Sequence, residues 1–234
     1  MRSSAELRRV RSEAVTRAYL LRQRQMREEM LRRLGEQYRL VRAEDISATF
    51  EERFTPVAAR TITAAQGQAQ TLTRAYLRGI GGVLVASPFL AGTSAKGMIA
   101  AALIGIVPVI LAAIRDGSKP EDALTLGAAY VDRTADNEYT RVIDSETDWQ
   151  AERGQYAGWI GHSYNSRDAC VGNDGFHTFD VKMYRHPSCR CDRELVPLGQ
   201  EPKPMSAQEA IGGVGPGHPS VRKMTLAEAL AAPS

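Results

Sequence analysis

The sequence predicts an α+β protein: a mainly α-helical N-terminal body, made of one long arginine-rich helix plus several others, then a small C-terminal β-rich Cys/His module and a flexible tail. Three observations carry this reading. Up to about residue 155, apolar residues recur at intervals of three and four, the period of a single buried helix face. Over residues 156–198 the texture changes to aromatics, glycine and short alternating runs, and all three cysteines with two of the four histidines fall within residues 170–191. Beyond residue 198, proline and glycine dominate, as in GQEPKP and GGVGPGHPS, a composition suited to a linker. The expected organisation is a helical body over 1–155, a module over 156–198, and a linker with a short tail helix over 199–234.

Residues 3–42 read as one long helix, with Ser3 or Ser4 as N-cap and Glu6 in the first turn. Its apolar stripe is expected at Leu7, Val10, Ala14, Ala18, Leu21, Leu31, Leu34, Tyr38 and Val41. Asp45 opens a second helix over 46–54, which Pro56 restarts or kinks. A third covers 57–78 and breaks at Gly79-Ile80-Gly81-Gly82. Residues 98–114 form an uncharged run, at the lower edge of the ~20 residues that cross a bilayer. With Pro108 in its middle and many alanines, it predicts a buried packing helix ended by Asp116-Gly117. Pro120-Glu121-Asp122 opens a short helix over 123–130, and the spacing of Val131, Tyr139, Val142, Ile143 and Trp149 continues helical character over 131–160. In the module, Asn173-Asp174-Gly175 is a turn signal between Trp159-Ile160 and an alternating run over 176–184, with Phe179, Val181 and Met183 on one side. Residues 224–231 predict a two-turn amphipathic helix suited to docking.

Hydrophobic residues make up 43% of the chain, enough for a core, but aromatics are only 6%, so the interior is expected to be Ala, Leu, Val and Ile. The net charge of +3 is mild while its distribution is not. Residues 1–42 hold twelve arginines, no lysine and five glutamates, a local surplus of +7 that leaves the remainder at −4. Such asymmetry points to an acidic partner or nucleic acid, with Arg8, Arg9, Arg32 and Arg33 as candidate contacts. The competing reading is a solvated face balanced by glutamates at helical spacing. An odd number of clustered cysteines does not make a secreted disulfide framework, and the arginine-rich N-terminus lacks the apolar core of a signal peptide.

A 45-residue β-module is small for an independent core, and structural zinc is a common remedy. Zinc takes four N or S ligands in a tetrahedron. Cys170, His186, Cys189 and Cys191 supply such a set, with His177 as a substitute. Two alternatives stay open: a packed cluster of reduced thiols, or a disulfide from Cys170 to Cys189 or Cys191. Nothing assembles a catalytic constellation. His162, Ser163 and Asp168 are crowded together without a nucleophile elbow, and the Gly79–Gly82 cluster is no phosphate-binding fingerprint. The acidic run Asp132, Asp136, Glu138, Asp144, Glu146 and Asp148 is expected to be a solvated helix face.

Trp159-Ile160, Asp168-Ala169-Cys170, Asp174-Gly175, the closing His186-Pro187-Ser188-Cys189-Arg190-Cys191 and Val196-Pro197 together resemble the C-terminal region of phage Mu F-like minor head proteins. Members of that family carry a Cys-x-x-Cys, a glycine, and a closing His-Pro-x-Cys-Arg-Cys followed by Val or Pro. The match covers about 40 residues. It departs at the second cysteine, where this chain has Asn173, so a four-cysteine site does not carry over and His186 would have to ligate any metal. The resemblance implies a minor capsid protein of a tailed phage that acts in head morphogenesis. Its place would be the host cytoplasm during assembly and then the virion interior. Its partners would be the portal, the major capsid or scaffold protein, and packaged DNA. No small-molecule substrate and no membrane contact are expected. Some family members are labelled capsid maturation proteases, which makes an enzyme the main alternative; a membrane-active ejected factor using residues 98–114 is the other.

Overall fold

The computed structural model describes residues 4–87, 93–154, 156–162, 175–181 and 192–199, without the side chains of 4–13, 93–95, 162 and 192. It is mainly helical, with one small antiparallel sheet. The described residues fall into two units, divided between Gly154 and Gln155.

In the first unit, α1 (Ser4–Tyr38) is a single helix, as its periodicity predicts. Which face it buries is a correction. Tyr19, Gln23, Met30 and Leu34 are buried with Thr16, whereas Ala14 and Ala18 are exposed and Leu21 is 58% exposed. Over residues 14–23, α1 thus turns a polar stripe inward and an apolar one outward, because the inward groups find partners on other helices. Leu34 and Val41 are buried as expected, and the side chains of Leu7 and Val10 lie outside the described residues.

After a 3-10 turn (Ala43–Asp45), a π-helical segment (Ser47–Phe54) runs straight into α2 (Thr55–Gly79). Pro56, in the first turn of α2, therefore marks a restart of the helix, as expected. The Thr55 N–H still bonds back five residues to the Phe50 carbonyl. The wider register hands over to the α-helix at Pro56, where the missing N–H and the ring are tolerated in a first turn. Phe50 and Phe54 pack on Tyr38, with ring centroids 6.1 and 5.2 Å away and nearly perpendicular rings.

The apolar run, expected as one helix, is two: α3 (Thr93–Ile104) and α4 (Val107–Arg115). Gly105 and Ile106 form the break, and Pro108 sits in the first turn of α4, where its ring costs nothing. Residues 120–153, expected as two pieces, form one 34-residue helix, α5 (Pro120–Arg153). No proline interrupts it, and Ala123, Gly127, Val131, Ala135, Tyr139, Val142, Glu146 and Gln150 keep one buried line throughout. It ends at Gly154, whose extended backbone stops the helix short of residue 160.

In the second unit, β1 (Tyr156–His162) is the central strand, paired antiparallel with β2 (Gly175–His177) on one side and β3 (Asp192–Pro197) on the other. The alternation expected over 176–184 stops after His177. The Thr178 hydroxyl binds the Asp180 carboxylate, and the Val181 N–H donates to the Thr178 carbonyl at 3.1 Å, closing a turn. Phe179 and Val181 are exposed. Met183, Tyr184 and the tail, including the helix expected over 224–231, lie outside the described residues.

Two glycines are required by close approach. On α5, a Cβ at Gly127 would run into the Ile110 side chain and the Tyr38 hydroxyl, the point where α1, α4 and α5 meet. On β1, a Cβ at Gly158 would meet the His177 carbonyl and the Phe176 ring. Gly127→Ala should therefore destabilise the helical body by about 1–3 kcal/mol through overpacking, despite alanine's better helix propensity. Urea titration of both proteins checks this.

Candidate functional site

The helical body is held by a seam of polar side chains among α1, α2 and α5. At one end, Arg27 on α1 makes a bidentate pair with Asp136 on α5: Nε donates to Oδ1 at 2.6 Å and Nη2 meets Oδ2 at 2.5 Å. Both side chains are largely buried, so neither charge can turn to water instead. Next, the Tyr139 hydroxyl donates to the Gln23 carbonyl at 3.2 Å. Gln23 binds the Tyr19 hydroxyl, which shares a 3.0 Å bond with the Thr73 hydroxyl on α2. Tyr19 stacks on Tyr76 with ring centroids 4.1 Å apart. Gln66 donates to both the Glu138 carbonyl and its carboxylate at 3.1 Å.

At the far end stands Glu146, fully enclosed. Gln70 and Gln150 each donate to its carboxylate at 2.8 Å, and the Arg74 guanidinium lies 3.9 Å away. Gln150 also takes the place of a peptide group: it accepts from the Val85 N–H at 3.0 Å and donates to the Val85 carbonyl at 2.9 Å. This pins the strand-like segment after α2, which the Trp149 indole N–H also grips through the Ala86 carbonyl at 2.9 Å. The acidic run on α5 is therefore not a uniformly solvated face. Asp132 and Asp148 are exposed, but Asp136 and Glu146 point inward because cationic or amide donors await them on α1 and α2.

Arginines of α1 are engaged along their own helix as well as across the seam. Arg32 is exposed, yet it pairs with Glu29 at 2.8 Å and with Glu36. Arg33 pairs with the same Glu29 at 2.6 Å. The Arg32 and Arg33 guanidiniums beside Glu29 hold its carboxyl down at about 2, so it stays ionised at any physiological pH. Arg32 is in this way largely neutralised along its own helix. Arg8 and Arg9 lie on α1, where their side chains are not described.

A groove of about 480 Å³ between α1 and α2 is lined by Arg22, Arg33 and Arg60 with Gln25, Glu29 and Gln68. Arg60 was not among the arginines that the N-terminal surplus singles out. The signal for it was present, because α2 contains Arg60, Arg74 and Arg78 and no acidic residue. Exposed Arg60 makes no ion pair among the described residues.

All four candidate zinc ligands, Cys170, His186, Cys189 and Cys191, lie outside the described residues, and so do Ser163 and Asp168. Among the described residues, no group of three or more His, Cys, Asp or Glu side chains is placed to hold a metal. His177 stacks on Trp159 with ring centroids 4.3 Å apart. The buried Trp159 indole also donates to the Val181 carbonyl at 3.0 Å. The register adds an observation that spacing did not provide. Gly161 near the end of β1 pairs with Gly175, the first residue of β2, and with Arg193 of β3, while His162 pairs with Asp192. Gly175 and Asp192, the first residues of β2 and β3, thus stand at the same end of the sheet, on either side of β1, about 10 Å apart by strand spacing.

Compared with known proteins, the chain matches no family model, no curated protein and no solved structure.

Asp136→Ala should cost about 3 kcal/mol or more, because it leaves Arg27 as an unpaired buried cation. Arg32→Ala, which opens an exposed pair, should shift stability by less than about 1 kcal/mol. Chemical denaturation of the two variants checks the contrast.

Proposed function

We propose that this chain is a minor capsid protein of a tailed phage, acting without catalysis in head assembly, inside the capsid near the portal and packaged DNA. The observation that carries the reading is the His186-Pro187-Ser188-Cys189-Arg190-Cys191 signature with Trp159-Ile160 before it and Val196-Pro197 after it. The pairing of its outer parts supports it: Trp159 pairs with Leu195 and Gly158 with Val196, so the residues bracketing the signature build one sheet. The Cys/His segment then serves as a clip across the open end of that sheet, and the convergence of its two flanking segments there fits a shared zinc ion. His186, Cys170, Cys189 and Cys191 would hold the metal, which would supply folding energy and no chemistry.

The arginines of α1, joined by Arg60, face the partner: portal, scaffold or DNA phosphates. The balance between them follows from the pairing described above. Arg22, Arg33 and Arg60 share one groove with a single carboxylate, Glu29, whereas Arg32 lies against two, Glu29 and Glu36.

Four measurements test the reading. The protein should co-purify with phage particles, and mixing it with major capsid or scaffold protein should give no cleavage; cleavage lost in Cys170→Ala would favour the protease instead. Elemental analysis should give one zinc per chain, absent in Cys189→Ala. DNA affinity should fall with salt, each lost phosphate contact lowering the logarithmic slope by about 0.9. Replacing Arg22, Arg33 and Arg60 by glutamine should weaken binding more than replacing Arg32 alone. Unchanged assembly and DNA affinity after replacing Arg8, Arg9, Arg32 and Arg33 together with Arg22 and Arg60 would remove the electrostatic part.

A further inference from the structure

The segment from Lys96 to Arg115 is long and apolar enough to cross a membrane by composition, yet only 28% of its most apolar stretch is buried in the protein. A core helix of a soluble body passes the same test by being mostly enclosed, and this one is not. Its buried side is a narrow line, Ile99, Leu103, Ile106, Val107 and Ile110, which belongs to the main core. Ala100, Ala113 and Ile114 flank it, part-buried against the same core, and the remaining side is open. Met98 is 61% and Val109 48% exposed, and Ile104 and Leu111 are exposed beside them, with Ala101, Ala102, Gly105, Pro108 and Ala112 filling the rows between. A contiguous apolar surface of this kind on a soluble unit marks a contact with something apolar.

We propose that the exposed rows of α3 and α4 insert shallowly into a lipid bilayer. This inference stands apart from the head-assembly reading and needs none of it. Three features select lipid over a protein partner. First, residues 97–114 contain no polar side chain at all and no Trp, Tyr, Phe or Arg. A protein interface carries a polar rim around its apolar centre.

Second, four amides around the break between the helices are bonded within the chain. Gly105 N–H donates to Ala101 O at 3.1 Å, Ile106 N–H to Leu103 O at 3.3 Å, and Val109 and Ile110 N–H both to Ile106 O at 3.0 Å. A bilayer demands such internal satisfaction, and water or a polar partner does not. Third, the run is bounded by Lys96 on one side and Arg115 with Lys119 on the other, placed for headgroup phosphates at the edge of an apolar patch. Glu51 and Asp116 stand near Arg115 and temper that attraction, so apolar burial drives the contact and charge adds to it. Because the inner line stays in the core, the helices lie in the interface and do not span.

Flotation of the full chain with vesicles tests this, using phosphatidylcholine alone and phosphatidylcholine mixed with phosphatidylglycerol. The arginines of α1 can also hold anionic vesicles, but only at low salt. The expected result is flotation with the mixed vesicles that persists at high salt, and that Val109→Glu with Leu111→Glu weakens by about tenfold or more. Both residues are exposed, so the double variant should keep its melting curve; Met98→Glu provides a second, independent reduction. Leu126→Glu, at an exposed site on α5, should float like the parent. No flotation at high salt with either vesicle, or a double variant that floats like the parent, would overturn the proposal. So would a lipid-free dimer of the parent that the double variant converts to monomer, since that assigns the face to a second copy.

Discussion

Glu146 has no contact with water, and the far end of the helical body depends on its being paired. A carboxylate in that position costs several kcal/mol unless its charge is met by donors. Gln70 brings α2 to it, Gln150 brings the next turn of α5, and Arg74 stands just beyond. Gln150 can serve Glu146 and Val85 together only while α2 and α5 keep this register. A shift by one residue would leave the carboxylate, an amide and a backbone peptide all unsatisfied. Apolar packing among alanines is tolerant of small slips; hydrogen bonds of fixed length are not. The seam therefore chooses one arrangement of three long helices that hydrophobic contact alone would leave loose.

The same seam explains why part of the fold was legible and part was not. Helices α1, α2 and α5 follow from residues spaced at three and four, a signal carried within each segment. The inward face of α1 was misplaced because Thr16, Tyr19 and Gln23 look like surface residues in any local reading. What makes them core is Thr73, Tyr76 and Tyr139, which are 54 to 116 positions away for the bonds that tie them. Asp136 and Glu146 were read as solvated for the same reason: their partners Arg27 and Gln70 belong to other helices. The break at Gly105 and the continuity of α5 through Gly127 both turn on glycine, which local propensity treats alike and packing treats in opposite ways.

Of the candidate sites, the arginine surplus was plain from composition, but its partition was only half so. Glu29 stands three and four residues before Arg32 and Arg33, a spacing that already predicts ion pairs on one helix face. Placing Arg60 beside Arg22 and Arg33 needed the fold, since only the α1–α2 contact brings them to one groove. Exposed pairs of this kind add little stability. Their effect is to set where positive potential remains: Arg32 is compensated along its own helix, and the groove that Arg60 enters keeps three guanidiniums against Glu29.

The small sheet poses the opposite problem to the helical body. Its strands are seven, three and six residues long, and the buried apolar groups among them are Tyr156, Trp159, Leu195 and Val196. Sheets of this size hold together only when something beyond pairing supports them. Residues 163–174 separate β1 from β2 and 178–191 separate β2 from β3, and both β2 and β3 start at the end where β1 stops. A bond or metal joining them there would shorten two loops at once and remove much of their freedom in the unfolded chain. That stabilising effect does not depend on which link forms, a zinc ion or a disulfide. It depends on where the cysteines fall in the chain: Cys170 between β1 and β2, and Cys189 and Cys191 just before β3.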